Sequence, residues 1–284
     1  MRSWRDSGLR LTRHALRLTL VCLLFAGCAL LTAKPEAPAL RQATAEELTT
    51  LLRQREAAIM SLKGLFSAKV RGGILPIATR VEGAVYYQRP DAMRLRGFTP
   101  VGSELFEFLQ AGDQYVLRLP TMGRVLSGTN ADTKEMGKLE RPFQLSVWAM
   151  GGVLGTGTVA ADETVKLHED GDRYRLDIFG PSSPASNGAE ALRRRLWFDR
   201  QTFLVVKEER LTESGEVDAS IQYDDFRPVG DAAALPAASS AVNEPLLRPF
   251  KISLEDGKGR GAVQVTFHEI IPNQPIKPSE LGRS

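Results

Sequence analysis

Two hydrophobic periods divide the chain: a helical one up to about residue 64 and an alternating one through most of the remainder. Leu48, Leu51, Leu52, Ile59 and Leu62 form an apolar stripe at helical spacing. Thr44 with Glu47 three residues on makes a capping box, so a helix is expected from Thr44 to about Gly64. Beyond it Phe66-Ala68-Val70, Tyr174-Leu176-Ile178, Val217-Ala219-Ile221-Tyr223, Phe250-Ile252-Leu254 and Val263-Val265-Phe267 alternate with polar residues. Side chains two apart share a strand face, so each segment offers one apolar and one polar face. Turn residues fall between these segments at Arg89-Pro90-Asp91, Ala111-Gly112-Asp113, Asp170-Gly171-Asp172, Ser214-Gly215-Glu216 and Asp256-Gly257-Lys258. The pattern predicts a mainly β protein: one large antiparallel sheet, a meander, curled around its apolar face.

One stretch breaks the alternation. Asp132 to Leu139 is expected to be a short helix, and Pro142 opens a second that carries Phe143, Leu145, Val147, Trp148 and Met150 before Gly151-Gly152 ends it. The second helix is apolar nearly all round and must be covered on more than one side, as a lid over the mouth of a curled sheet would be. Residues 181–190 and 231–249, rich in Pro, Ala and Ser, read as extended or disordered insertions.

The N-terminus has a different pattern. Arg2, Arg5, Arg10, Arg13 and Arg17 precede an apolar run from Leu18 to Ala26, and Leu24-Phe25-Ala26-Gly27-Cys28 closes it. This resembles the lipobox of bacterial lipoprotein precursors, with cleavage before Cys28. The resemblance implies a signal peptide over 1–27, a lipidated Cys28, a tether over 28–43 with Pro35 and Pro38, and a domain over 44–284. The apolar run is shorter than the roughly 20 residues a spanning helix needs. Ala29, where an Asp would hint at retention in the inner membrane, points through the same resemblance to the outer membrane.

Removing residues 1–27 takes away five arginines and Asp6 and turns a formal charge of +3 into −1. The basic character of the whole chain therefore belongs to the leader, and no nucleic-acid partner is expected. Cys22 lies in the leader and Cys28 would carry lipid, so no thiol remains for a disulfide or a thiolate metal site.

The order of anchor, tether, helix, about six strands, two small helices and further strands is similar to that of the LolA/LolB superfamily of lipoprotein-sorting proteins, its anchored LolB type in particular. Gly97-Phe98-Thr99-Pro100-Val101-Gly102-Ser103-Glu104-Leu105 resembles the protruding loop of that family and the strand after it. Tyr86-Tyr87-Gln88-Arg89-Pro90-Asp91 with Met93-Arg94-Leu95 resembles the strand-turn-strand before the loop. Asp132 to Gly151, with Glu135-Met136-Gly137-Lys138-Leu139 and Trp148, resembles its helical insertion. The resemblance covers residues 43 to 228. It implies an unclosed antiparallel barrel with a helical lid and a cavity for lipoprotein acyl chains, here lined by Phe106, Phe108, Val147, Trp148 and Met150. It further implies a membrane-engaging loop at Pro100, Val101 and Gly102, a LolA-like periplasmic carrier as partner, a monomer, and no cofactor or enzymatic chemistry. A lipid-binding envelope sensor and a structural lipoprotein with a filled core that binds a protein partner are the alternatives.

Catalytic patterns are missing from the sequence: it has no Gly-x-Ser-x-Gly, no Gly-x-x-x-x-Gly-Lys and no His-Glu-x-x-His. His168 and His268 are expected to be surface or edge-strand residues, not a metal pair. Glu104 and Glu107, three apart on a strand, are expected on opposite faces and make a poor acid/base pair. Arg193-Arg194-Arg195 reads as a solvated edge or a contact for anionic headgroups.

Overall fold

The computed structural model describes residues 39–72, 75–129, 141–154, 159–181, 190–230 and 245–283. The leader, Cys28, the tether up to residue 38, the first short helix and the core of both Pro/Ala/Ser-rich stretches lie outside the described residues. Residues from Arg41 onward form one compact unit. Its elements are α1 (Ala45–Ala57), β1 (Ser61–Gly72), β2 (Leu75–Gln88), β3 (Ala92–Phe98), β4 (Glu104–Ala111), β5 (Gln114–Leu119), β6 (Arg124–Thr129), α2 (Arg141–Leu154), β7 (Thr164–Asp170), β8 (Arg173–Gly180), β9 (Ala191–Asp199), β10 (Val205–Leu211), β11 (Val217–Pro228), β12 (Leu247–Asp256) and β13 (Gly261–Pro272).

The strands form a single antiparallel sheet in the order β6-β5-β4-β3-β2-β1-β13-β12-β11-β10-β9-β8-β7. It is mainly β, curled and unclosed, as expected, and all five predicted turns join paired strands. The meander runs in two arms outward from a central β1–β13 pair. Consecutive strands β6 and β7 thus become the two edges, and α2, lying between them in sequence, packs on β1, β11, β12 and β13 at the middle of the sheet. One row of registered neighbours, Leu176, Leu196, Glu208, Ile221, Leu254, Val263 and Val70, marks the inner face. Both helices lie on it. Leu145, Ala149, Met150, Val153 and Leu154 of α2 join the cluster of Phe66, Ile252 and Val265, while Leu48 and Leu52 of α1 join Tyr174, Leu176 and Phe198. Aromatic rings fit this concave face where glycine leaves room. A Cβ on Gly97 would meet the Phe106 ring at 2.3 Å, and one on Gly83 the Phe66 ring at 2.3 Å.

Several local expectations are corrected. The capping box at Thr44 and Glu47 is formed, but α1 ends at Ala57 with Ala58 as its C-cap, and Leu62 and Gly64 belong to β1. The stop comes from a distant residue: Asn273 Nδ2 donates to Ala58 O at 2.9 Å, while Met60 N donates to Asn273 Oδ1 at 2.8 Å. The Asn side chain thereby supplies a cap that no local spacing reveals. Gly151-Gly152 does not end α2, because Gly152 is the point where the helix backbone rests on the Tyr223 ring. Within the stretch 231–249, residues 247–249 are the start of β12, paired with 226–228.

Glu104 and Glu107 share a face. A register shift between Gly97 and Phe98 inserts one extra residue in β4 and inverts the parity between them. Glu104 pairs with Arg96 at 2.8 Å, and Glu107 with Arg94 and with Arg118 at 2.6 Å. The run Arg193-Arg194-Arg195 is not at an edge, since β9 lies between β8 and β10. Arg193, Arg194 and Arg195 pair with Glu213, Glu163 and Glu209. His168 is on the edge strand β7 beside Asp177, and His268 is half-exposed on β13.

Candidate functional site

Between the two helices the inner face carries a strip of charge that interrupts its apolar surface. β10 places Glu208 and Arg210 two residues apart on this face, both facing a buried Tyr223 from β11. Tyr223 Oη donates to Glu208 Oε2 at 3.0 Å, and Arg210 Nε donates to Glu208 Oε1 at 3.0 Å. Burial, reinforced by the Glu208 charge, holds the Tyr223 phenol well above its ordinary pKa, so it stays a donor. Arg210 also lies over the Trp148 ring of α2, 4.8 Å from its centroid.

A cleft of about 80 Å³ that opens to solvent sits above this strip. Leu52 and Arg55 of α1 form one wall and Gly151 and Gly152 of α2 the other. Leu196, Leu204, Val205 and Tyr223 line it, and Leu247, Arg248, Pro249 and Phe226 close one end. Arg248 is 3% exposed. Its Nη1 donates to Leu247 O at 3.0 Å and its Nη2 to Arg55 O, while Nε has no hydrogen-bond partner among the described residues. Nor, among those residues, does any carboxylate form an ion pair with it. Burial, with the nearby Arg55 charge, lowers its pKa to about 9, which leaves it protonated at neutral pH.

The residues expected to line a cavity are not gathered around this cleft. Phe106 and Phe108 do lie on the inner face, but of β4, in the other arm of the sheet. Phe106 packs over Gly97, and Phe108 is buried and stacks on Tyr115 with centroids 6.0 Å apart. Met150 is buried under α2 against the sheet, and Val147 and Trp148 are half-buried against the same cluster. The hollow that the sequence led us to expect beneath α2 is occupied by the helix itself. The sequence reading does not single out Glu208, Arg210 or Arg248, and it takes Tyr223 only as an apolar strand position. The signal was there in β10, whose inner positions 208 and 210 are charged where a central strand should be apolar.

At the far side of the domain, Val101 stands at the tip of the β3–β4 loop and is 88% exposed. The loop closes through Thr99 N to Ser103 O at 2.8 Å and Gly102 N to Thr99 O at 2.9 Å, with Gly102 at φ +89°. Pro100 and Gly102 on either side are also exposed, so the valine is presented by a short, well-bonded loop. Residues 41–43, within the expected tether, are held to the sheet: Arg41 N donates to Arg200 O at 2.9 Å and Ala43 N to Tyr174 Oη at 3.3 Å.

The thirteen-stranded, curled, unclosed sheet with helices on its concave side is similar in fold to solved structures that share little sequence with it. Among solved structures, a DUF1329 family protein from Desulfovibrio piger is 8% identical with a TM-score of 0.54, covering 82% of this chain and 94% of that one. A domain described as an outer membrane lipoprotein-sorting protein, from Vibrio parahaemolyticus, is 10% identical with a TM-score of 0.53, covering 84% and 97%. A LolA superfamily protein from Nitrosomonas europaea is 12% identical with a TM-score of 0.49, covering 82% and 96%. No protein-family model matches the chain, and no curated protein matches it in sequence.

Proposed function

We propose that this protein is a lipoprotein anchored to the outer membrane through Cys28. In this reading it takes the acyl chains of other lipoproteins onto its concave face and helps pass them into the bilayer, receiving them from a LolA-like periplasmic carrier. It acts as a monomer, and its work is binding, not catalysis. The observation that carries the reading is α2, an apolar helix outside the sheet that covers its apolar centre. Undocked, it would leave Phe66, Ile252, Val265 and their neighbours ready for acyl chains. Transfer between two such surfaces exchanges like for like at about 25 cal/mol per Å² on either side, so a small bias suffices to direct it. Val101, exposed at a loop tip, suits contact with the bilayer.

The test is purification of the protein without residues 1–28, with mass spectrometry of lipid that copurifies and titration with an acylated peptide. Bound acyl chains or saturable uptake are expected; the absence of both overturns the proposal. One observation favours a second reading. Leu145, Ala149, Met150 and Val153 are each at most 1% exposed, which is also what a structural lipoprotein with a permanently filled core would show. In that case the task is binding a protein partner at the envelope, and α2 never leaves the sheet.

A further inference from the structure

Arg248 is a charge that the described fold does not neutralise. A guanidinium buried without a carboxylate is costly, and a bound anion would offset that cost. Its two hydrogen bonds go to backbone carbonyls of Leu247 and Arg55, and its Nε has no partner among the described residues. The side chain lines the cleft between α1 and α2 and is closed in by Pro249 and Phe226. Other cleft walls are aliphatic: Leu52, Leu196, Leu204 and Val205. At about 80 Å³ the space is below the ~300–1,000 Å³ typical of enclosed small-molecule sites, and it opens to solvent, so a chain would lie along it and not be enclosed.

We infer that this cleft binds a single-chain amphiphile with an anionic head, the head paired with Arg248 and the chain laid along the leucines of α1, β9 and the segment before β10. A carboxylate or phosphate fits because a guanidinium binds planar oxyanions through directed hydrogen bonds. Glu208, which also lines the cleft, is held by Tyr223 and Arg210 and forms no ion pair with Arg248 among the described residues. The chain half of the inference rests on the proposed acyl-binding role; the head half rests on Arg248 alone.

The test titrates the purified protein at pH 8 with laurate, with dodecanol, which has the same chain and no charge, and with inorganic phosphate. Laurate is expected to bind at least tenfold more tightly than dodecanol. Arg248→Met should bring the two to equality by weakening laurate alone. If the Met variant does not fold, Arg248→Lys takes its place, and the preference for laurate should fall while dodecanol binding holds. Equal binding of laurate and dodecanol to the unaltered protein, or a preference that survives both substitutions, overturns the head site and leaves acyl binding standing. Binding of neither overturns both. Displacement of laurate by phosphate at equal concentration would reveal a site for small anions and overturn the amphiphile assignment.

Discussion

If α2 gates the concave face, the contact at Gly152 sets how often the gate opens. An added Cβ there would stand 2.0 Å from Tyr223 Cε1, 2.7 Å from Cζ and 2.9 Å from Cδ1, against the roughly 3.5–4.0 Å of normal carbon contacts. The ring cannot easily swing away, because it is buried and its hydroxyl is held by Glu208. Overpacking of this kind costs about 1–3 kcal/mol in the docked state. The helix-propensity gain of alanine over glycine is the same docked or undocked and cancels. Docking is therefore weakened by about 1–3 kcal/mol, a factor of roughly 5 to 160 in the docking equilibrium. While the docked state dominates, the apparent affinity for an acylated peptide should tighten by that factor, because the competent fraction rises. Native-state hydrogen exchange over residues 145–154 measures the opening, and titration with a labelled acylated peptide measures its consequence. Faster exchange in α2 with unchanged peptide affinity would refute the gate and favour the filled core.

Three other substitutions probe separate parts of the molecule. Val101→Glu should leave the melting temperature unchanged, since the side chain is 88% exposed, while impairing lipoprotein delivery to vesicles; normal delivery would remove the loop from the mechanism. Asn273→Ala removes two hydrogen bonds that close α1 onto β1 and places alanine at φ +60°, for a loss of about 2–3 kcal/mol, or roughly 5–10 °C in thermal melting. Glu107 is the pH-dependent element. Burial raises its carboxyl pKa, but hydrogen bonds from Arg94 and Arg118 outweigh this and hold it below the ordinary value of 4.5. A depressed folded pKa stabilises above the unfolded value and ceases to do so as the pH falls through the folded one. Glu107→Gln should thus cost about 1–3 kcal/mol at pH 7, and in denaturant melts the difference from the unaltered protein should shrink as the pH falls below 4.5 and vanish only once it has passed the lowered folded value.

What could be read from the chain was decided by short-range physics, and what could not was decided by partners far away. The strands were legible because burial on one face imposes alternation, and Tyr174, Leu176 and Ile178, like Val263, Val265 and Phe267, are all buried. The turns were legible because glycine and aspartate mark them. The end of α1 was not, since Leu48 to Leu62 keep a helical spacing through a strand start and the cap is Asn273, more than 200 residues on. Nor was the shared face of Glu104 and Glu107, because one inserted residue in β4 reverses parity and leaves no mark in composition.

The acyl-cavity candidates and the cleft fall on different residues. Phe108 and Met150 are apolar enough to pack into the core, and they do. Free space persists where packing is frustrated, along β10, where Glu208, Arg210 and Tyr223 satisfy one another and the helices stand apart. A charged residue at an inner position of a central strand is therefore the better guide to a site in a sheet of this kind. Two such positions in β10 and a third at Arg248 of β12 line the same cleft, and α2, which walls that cleft through Gly152, also covers the apolar centre. Movement of the one helix would alter both surfaces, so an amphiphile in the cleft and an acyl chain on the sheet should influence each other's binding, reciprocally and by the same factor.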